Sequence, residues 1–258
     1  MALQMRSYWK HGALNFYEEV AGYGLKTGVW ATCPLMAIQS NPGLGTIFFD
    51  DFYTQKSTKA ADADIWTVVE DDSKTGTDGV QDAVCGVYHH YCDGDDNDES
   101  YCATTGESWL MATGKPLWYE ARFTFTNSAT TAGVFCLGIA TTGGKTDTMI
   151  DTEGGPLASY DGFYFFKQSG DAVITFETSV AGAQVTNATF GTFVSGTTYR
   201  VGAYYDGVTT VTPYLDDVAG TAHTMATNTS QGNAFFGVKS NGAEEYIAMD
   251  YIKIVQLR

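Results

Sequence analysis

An alternation of side chains runs through residues 118–126 and is the clearest periodic signal in the chain, with Trp118 as the one large apolar residue on the otherwise polar side. Tyr119 and Phe123 fall on one side of this run, and Glu120 and Arg122 fall on the other. A period of two is typical of a β-strand with one face in a hydrophobic core. The pattern therefore predicts a core strand over Trp118–Thr126, entered through a turn at Gly114-Lys115-Pro116.

Other short apolar or alternating runs predict further strands, and sustained helical periodicity is almost absent. These predicted strands lie at 46–52, 65–69, 84–91, 134–140, 162–167, 172–177, 199–205, 208–215, 234–239 and 246–255. Asp206-Gly207 separates two of them and favours a hairpin turn, and Pro213 favours an edge position or a bulge. The polar run at 96–100 is interpreted as a turn. We predict an all-β, antiparallel two-sheet jelly-roll sandwich.

The first 45 residues differ from the rest because they are apolar without a regular period. Their aromatic residues are Trp9, Phe16, Tyr17, Tyr23 and Trp30. The segment SNPGLG at 40–45 is a turn and linker signal. We predict an irregular N-terminal docking arm over 1–45 and a jelly-roll domain over 46–258. The five aromatic residues are the predicted docking contacts with a partner, either the capsid shell or a sister subunit.

The net charge of the chain argues against nucleic acid as a partner, and the expected compartment determines the state of the cysteines. The chain has 14 Lys and Arg against 30 Asp and Glu, a net charge of −16, so nucleic-acid binding is not expected. No run is long and apolar enough to predict a membrane span or a secretory signal, and synthesis in a cytoplasm is expected. The five cysteines, an odd number, are then expected to be buried thiols.

Neither the carboxylates nor the metal-binding residue types of the sequence have the spacing of a reactive site. A glycosidase needs two carboxylates close together on one strand face, and neither Glu70-Asp71-Asp72 nor Glu244-Glu245 has that spacing, so no enzyme activity is predicted. The acidic run Asp93–Glu99 offers oxygens to calcium but lacks EF-hand spacing, and turn amides are its favoured partners. Zinc is disfavoured because His89 and His90 would face opposite sides of one strand; the neighbouring thiols are Cys85, Cys92 and Cys102. No cofactor or metal is predicted.

Several of these segments together resemble virion proteins of tailed phages that carry a concanavalin A/laminin G-like jelly-roll domain. They are Asp50-Asp51-Phe52, DNDES at 96–100, GKPLWYEARF at 114–123, EGGPLASYDGFYFFK at 153–167 and AMDYI at 248–252. The resemblance covers about residues 46–258. It implies a capsid-associated or other virion component and does not specify the layer of the particle. Our first hypothesis is a capsid decoration or cement protein on the virion surface, a homo-oligomer docked through its arm on the major capsid protein or other virion subunits.

The alternative is a carbohydrate-binding module for host attachment on a virion surface or fibre. Jelly-roll domains bind glycans through loop aromatics, and the residues considered for a surface glycan are Trp109, Trp118 and Tyr160.

Overall fold

The structure is a computed structural model that describes most of the chain beyond residue 27. The described residues are 7–10, 13–16, 28–52, 65–70, 78–81, 86–129, 131–141, 150, 155–157, 159–226, 228 and 230–258. Their strands are β1 (Ser7–Lys10), β2 (Ala13–Phe16), β3 (Gly45–Asp50), β4 (Trp66–Glu70), β5 (Gly79–Gln81), β6 (Val87–Cys92), β7 (Asp96–Thr104), β8 (Leu117–Thr126), β9 (Val134–Ala140), β10 (Gly162–Lys167), β11 (Val173–Val180), β12 (Ala183–Thr192), β13 (Thr198–Tyr205), β14 (Thr210–Leu215), β15 (Val218–Ala219), β16 (His223–Thr224), β17 (Asn233–Asn241) and β18 (Glu245–Leu257). A 3-10 helix spans Val29–Thr32 and helix α1 spans Leu35–Ser40.

Two antiparallel sheets form the body of the protein. One has seven strands in the order β12-β11-β10-β9-β17-β7-β4. The other has nine strands; its main order is β15-β14-β13-β8-β18-β6-β5, with β16 beside β14 and β3 beside β18. The chain changes sheet between β6 and β7, between β8 and β9, and between β17 and β18, so neither sheet is built from one continuous segment. This architecture confirms the predicted all-β sandwich.

The core between the sheets is rich in aromatic rings, and β8 contributes as its alternation predicted. Tyr119 and Phe123 are fully buried. Tyr119 packs against Phe163 with ring centroids 5.3 Å apart, and Phe123 packs against Phe135 at 5.0 Å. Phe163 and Phe135 belong to the opposite sheet, so these pairs, each worth about 0.5–1.5 kcal/mol beyond burial, join the two layers.

Hairpin β13–β14 confirms the predicted turn at Asp206-Gly207. Gly207 has φ +77°, a left-handed conformation, and a Cβ there would meet Pro116 at 2.7 Å, so glycine suits both the turn and the contact. Pro213 lies in β14 at a gap in its outer pairing. On that side β14 pairs with β16 at 210–211 and with β15 at 214–215. Pro213 lies between these two pairings, so the ladder loses no hydrogen bond because proline has no N–H.

Two sequence-based interpretations are wrong. The run at 96–100 is not a turn: it begins β7, which pairs with β17 on one side and β4 on the other. The N-terminal segment is also less irregular than predicted, since β1 and β2 form a hairpin and two short helices follow. Local polarity misled in the first case, because pairing with β17 makes a strand of the polar run, while β4 pairs with β7 only from Ser100 onward. The domain boundary at residue 45 stays a prediction.

The segment 28–40 packs on the outer face of the nine-stranded sheet. Val29, Cys33 and Ile38 form a buried cluster with Trp118 and Val255 of that sheet. Trp118 also donates from Nε1 to Thr32 Oγ1 at 3.2 Å. This packing makes residues 28–40 part of the sandwich's own hydrophobic structure. None of the helices in the described ranges is long and apolar enough to cross a membrane.

Candidate functional site

A crevice of about 400 Å³ opens beside β3, where the end of β18 meets the connection from β7 to β8. Its lining is mixed in chemistry and includes Phe48, Trp109, Lys115, Gln231, Gln256 and Arg258. Among the described lining residues none is Asp or Glu. A concave site with aromatic rings and a few convergent polar groups is the usual form of a small-ligand pocket.

Residues 108–110 form one wall of the crevice and are fixed by backbone and side-chain hydrogen bonds. Trp109 exchanges backbone bonds with Gly232, whose N–H donates to the Trp109 carbonyl at 2.8 Å. The buried Gln256 side chain accepts from the Leu110 N–H at 3.2 Å and donates to the Leu110 carbonyl at 2.5 Å. Because Gln256 belongs to β18 and Gly232 directly precedes β17, the wall is tied to both sheets.

Trp109 places an unpaired hydrogen-bond donor in this wall. Its side chain is 5% exposed, and its ring packs against Phe48 with centroids 6.1 Å apart. Its Nε1–H has no hydrogen-bond partner within the described structure. The neighbouring Trp66, equally buried, donates from Nε1 to Asp50 Oδ2 at 2.6 Å. An unsatisfied buried donor costs about 1–3 kcal/mol. Nε1 has almost no accessible surface, so an acceptor would gain a bond that the described residues do not make only by displacing the side chains over it.

Two cations lie at the crevice, each set by local backbone structure. Lys115 follows Gly114, which has φ +80°, and its N–H donates to the Ala112 carbonyl at 3.0 Å. Arg258 is exposed, and its N–H donates to the Leu44 carbonyl at 3.0 Å. The predicted turn at 114–116 therefore carries one lining residue, but nothing in its local sequence indicated a site.

The outer face of the seven-stranded sheet, in contrast, is enclosed. Tyr101, Tyr164 and Phe235 are fully buried there in a second hydrophobic cluster that includes Ile150 and Tyr160. The Tyr160 and Tyr164 rings lie 4.4 Å apart. Burial raises the pKa values of both phenols well above their ordinary range. Described residues from the β9–β10 connection thus cover this face.

Two carboxylates on the enclosed face are too far apart for paired acid–base chemistry. Glu99 lies on β7, 3.7 Å from Lys239 Nζ. Glu177 lies on β11 and accepts from Tyr160 at 3.1 Å and Thr186 at 2.6 Å; burial raises its pKa. Strands β17, β9 and β10 lie between β7 and β11, a separation of about 19 Å at the normal strand spacing. Glycosidase carboxylates are about 5–9.5 Å apart.

The acidic run 93–99 uses its oxygens within the protein. The Asp98 carboxylate accepts from the Asp93 N–H at 2.5 Å, and Asp93 Oδ1 accepts from the Gly94 N–H at 2.7 Å. Among the described residues, no group of three or more His, Cys, Asp or Glu side chains could hold a metal ion. The prediction that these carboxylates serve turn amides is confirmed for Asp93 and Asp98.

His89 and His90 face opposite sides of β6, as predicted. His90 is fully buried, with Nδ1 3.0 Å from Asp78 Oδ2, whereas His89 stacks on Tyr246 at the outer face, with centroids 4.6 Å apart. The four cysteines within the described ranges, Cys33, Cys92, Cys102 and Cys136, are buried thiols; Cys85 lies outside those ranges. Burial raises the pKa of the Cys136 thiol, which makes it a poor nucleophile.

The structure describes three of the five predicted docking residues. Trp30 packs within its own chain, with Lys253 Nζ 4.2 Å from its ring centroid. Trp9 lies in β1 and Phe16 in β2, and Tyr17 and Tyr23 lie outside the described residues. A partner contact by any of the five stays a prediction.

The three aromatic residues considered for glycan binding differ in where they lie relative to the crevice. Trp118 is buried beneath residues 28–40, and Tyr160 is buried against Tyr164 with its hydroxyl on Glu177. Neither offers a ring face to a ligand in this structure, so these two assignments are wrong. Only Trp109 lines the crevice.

Comparison with known proteins identifies the fold. No protein-family model matches the chain, and no curated protein matches it in sequence. The Lotus tetragonolobus seed lectin is similar in structure, with TM-score 0.55 and 10% identity over 83% of this chain and 99% of the lectin. Peanut lectin is similar with a TM-score of 0.54 and 13% identity, over 83% of this chain and 98% of the lectin. The Bacillus licheniformis β-glucanase is similar with a TM-score of 0.52 and 12% identity, over 81% of this chain and 98% of the glucanase.

These likenesses define the protein as a jelly-roll sandwich of the concanavalin A and legume lectin type. At identities this low they establish the fold alone. Because lectins and a glucanase share it, the fold does not decide between binding and hydrolysis. That decision depends on the chemistry of this chain's own residues.

Proposed function

We propose that this protein is a non-enzymatic carbohydrate-binding module that holds a saccharide in the crevice beside β3. The observation that carries the proposal is the unpaired indole N–H of Trp109 in a wall fixed to both sheets. This N–H is itself buried, so the proposal requires that the bound saccharide displace the side chains that cover it. Saccharides carry many hydroxyl oxygens that accept hydrogen bonds, and their ring carbons pack on aromatic side chains. The half-buried Phe48 supplies a ring at this site, and Gln231 and Ser108 supply polar groups at its exposed rim.

The carboxylate arrangement supports binding rather than hydrolysis. Within the described part of the chain, the outer-face carboxylates of the seven-stranded sheet lie on strands β7 and β11, and the crevice lining has none. A hydrolase would need an acid and a nucleophile or base at the same bond.

The test is glycan-array binding followed by titration of the best saccharide against Trp109→Phe. This variant keeps an aromatic ring and removes the N–H, and we expect about a tenfold loss of affinity, the value of one hydrogen bond. Trp66→Phe is the matched control, because Trp66 is equally buried, contacts Phe48, and does not line the crevice. Absence of saccharide binding by the wild-type chain, or equal losses in both variants, would overturn the proposal.

A second candidate is the virion structural role, with the N-terminal arm docked on a phage capsid or a sister subunit. The observation that favours it is the anchoring of residues 28–40 on the nine-stranded sheet, which ties the preceding apolar segment to the sandwich. The test is deletion of residues 1–27. Deleting 1–45 would also uncover Trp118 and Val255, and the sandwich would be destabilised for reasons unrelated to docking. Unchanged incorporation of the 1–27 deletion into purified particles would contradict the docking role.

A further inference from the structure

We infer that the crevice selects an acidic saccharide, one whose sugar units carry a carboxylate; this rests on the proposed carbohydrate binding. The first argument is charge. The chain as a whole carries −16, yet the crevice lining contains Lys115 and Arg258 and, among its described residues, no carboxylate side chain. In a protein with twice as many acidic as basic residues, such a lining separates this site from the rest of the surface.

The second argument is that the other described cations beyond residue 28 are engaged elsewhere. Arg122 pairs with Asp250, and Arg200 pairs with Asp217. Lys167 donates to three backbone carbonyls, Lys239 lies 3.7 Å from Glu99, and Lys253 lies over Trp30. Lys115 and Arg258 form no salt bridge with any residue that the structure describes. Their charges are available to a ligand.

The third argument is the balance of donors and acceptors. Gln256 uses its amide oxygen and nitrogen on Leu110, so it shapes the wall and offers little to a ligand. Of the charged groups left, the Lys115 ammonium and the Arg258 guanidinium can only donate hydrogen bonds. The remaining polar side chains of the lining both donate and accept: Thr46, Ser108 and Gln231. A carboxylate on a sugar ring provides two acceptor oxygens, and a guanidinium can bind both of them with parallel hydrogen bonds. A neutral sugar would leave both cations without a counter-charge.

The test compares an oligogalacturonide with the same oligosaccharide fully methyl-esterified, by calorimetry on the full chain. The two differ in charge and share the sugar skeleton. We expect the acid to bind at least about tenfold more tightly than the ester, with affinity that falls as salt concentration rises. Arg258→Gln and Lys115→Gln should each weaken binding of the acid several-fold and leave the ester unchanged. Lys253→Gln, a cation outside the crevice, is the control and should change neither.

The outcomes separate this inference from the proposed function. Equal affinity for acid and ester would overturn the acidic selectivity and leave carbohydrate binding standing. Binding of inorganic sulfate at the crevice without binding of either oligosaccharide would identify a simple anion site and overturn both statements. No binding of any of the three probes would overturn the acidic selectivity, and carbohydrate binding would fall with it only if the glycan array were also negative.

Discussion

The outer faces of the two sheets differ in how far the rest of the chain covers their apolar side chains. The seven-stranded sheet buries its outer face, including Tyr164 and Phe235, beneath residues of the β9–β10 connection. Among the described residues, only 28–40 cover the outer face of the nine-stranded sheet, at the end around Trp118. At the other end His89, Tyr91 and Tyr246 are half-buried and Arg122 is exposed. The first face is a second core. The second face and the crevice at its edge are where described residues of this protein can meet a partner or ligand.

The largest expected effect tests whether the enclosed face is a true core. Phe235→Ala removes a fully buried ring that lies 4.7 Å from Tyr164, and we expect a loss of about 3–5 kcal/mol in the free energy of unfolding. Tyr246→Ala on the open face should cost less than about 1.5 kcal/mol. Urea denaturation of both variants measures the difference. Equal losses would mean that the two faces are not energetically distinct.

A second prediction concerns charge buried between the sheets. Glu245 is fully buried, and burial raises its pKa from 4.5 to about 7, partly offset by Lys167. The folded state therefore holds this proton after the unfolded state has released it. Stability should fall as pH rises from about 4.5 to 7, by up to about 3 kcal/mol.

Lys167 contributes a pH dependence of stability that has the opposite sign and lies at higher pH. Burial lowers its pKa from 10.5 to about 8, with Glu245 and Asp171 opposing. Stability should therefore rise again between about pH 8 and 10.5. Glu245→Gln should remove the decline between pH 4.5 and 7 in denaturation curves, and an unchanged decline would assign it to other groups.

A smaller effect is expected at the tip of the β13–β14 hairpin in the nine-stranded sheet. Asp206 Oδ1 accepts from the N–H groups of Val208, Thr209 and Thr210 at 2.7–3.0 Å. These backbone bonds outweigh partial burial and lower the Asp206 pKa. Asp206→Ala should cost about 1–2 kcal/mol, and Asp206→Asn, which keeps an acceptor oxygen, should cost less. Thermal unfolding of the pair measures the order; the reverse order would contradict it.

The smallest expected effect is on the open face. Arg122 and Asp250 form an ion pair in which the Arg122 side chain is 47% exposed. Arg122→Ala should change stability by less than about 1 kcal/mol, because water and salt screen exposed pairs. A larger loss, measured under the same denaturation conditions, would show that this face is more tightly packed than its exposure indicates.

The fold was predictable because its strands are marked locally. The alternation over 118–126, the apolar run at 162–167 and the turn at Asp206-Gly207 each reflect a strand or hairpin that the structure contains. The strand over Asp96–Thr104 was not predictable in full, since its first residues are polar and only their pairing with β17 makes them a strand. Edge strand β12 is largely exposed and polar and was missed for a related reason.

By itself, then, the sequence determined the class of fold, the hairpin turn and the opposite facing of His89 and His90, because strand periodicity and turn chemistry are local properties. The crevice is a tertiary feature. Trp109, Lys115 and Arg258 are distant in sequence, and two sheets must pack before they line one site. Tertiary structure also decided which aromatic residues are available: Trp118 lies under residues 28–40 and Tyr160 lies against Tyr164. Burial by segments far along the chain leaves no periodic signal at the residues it covers.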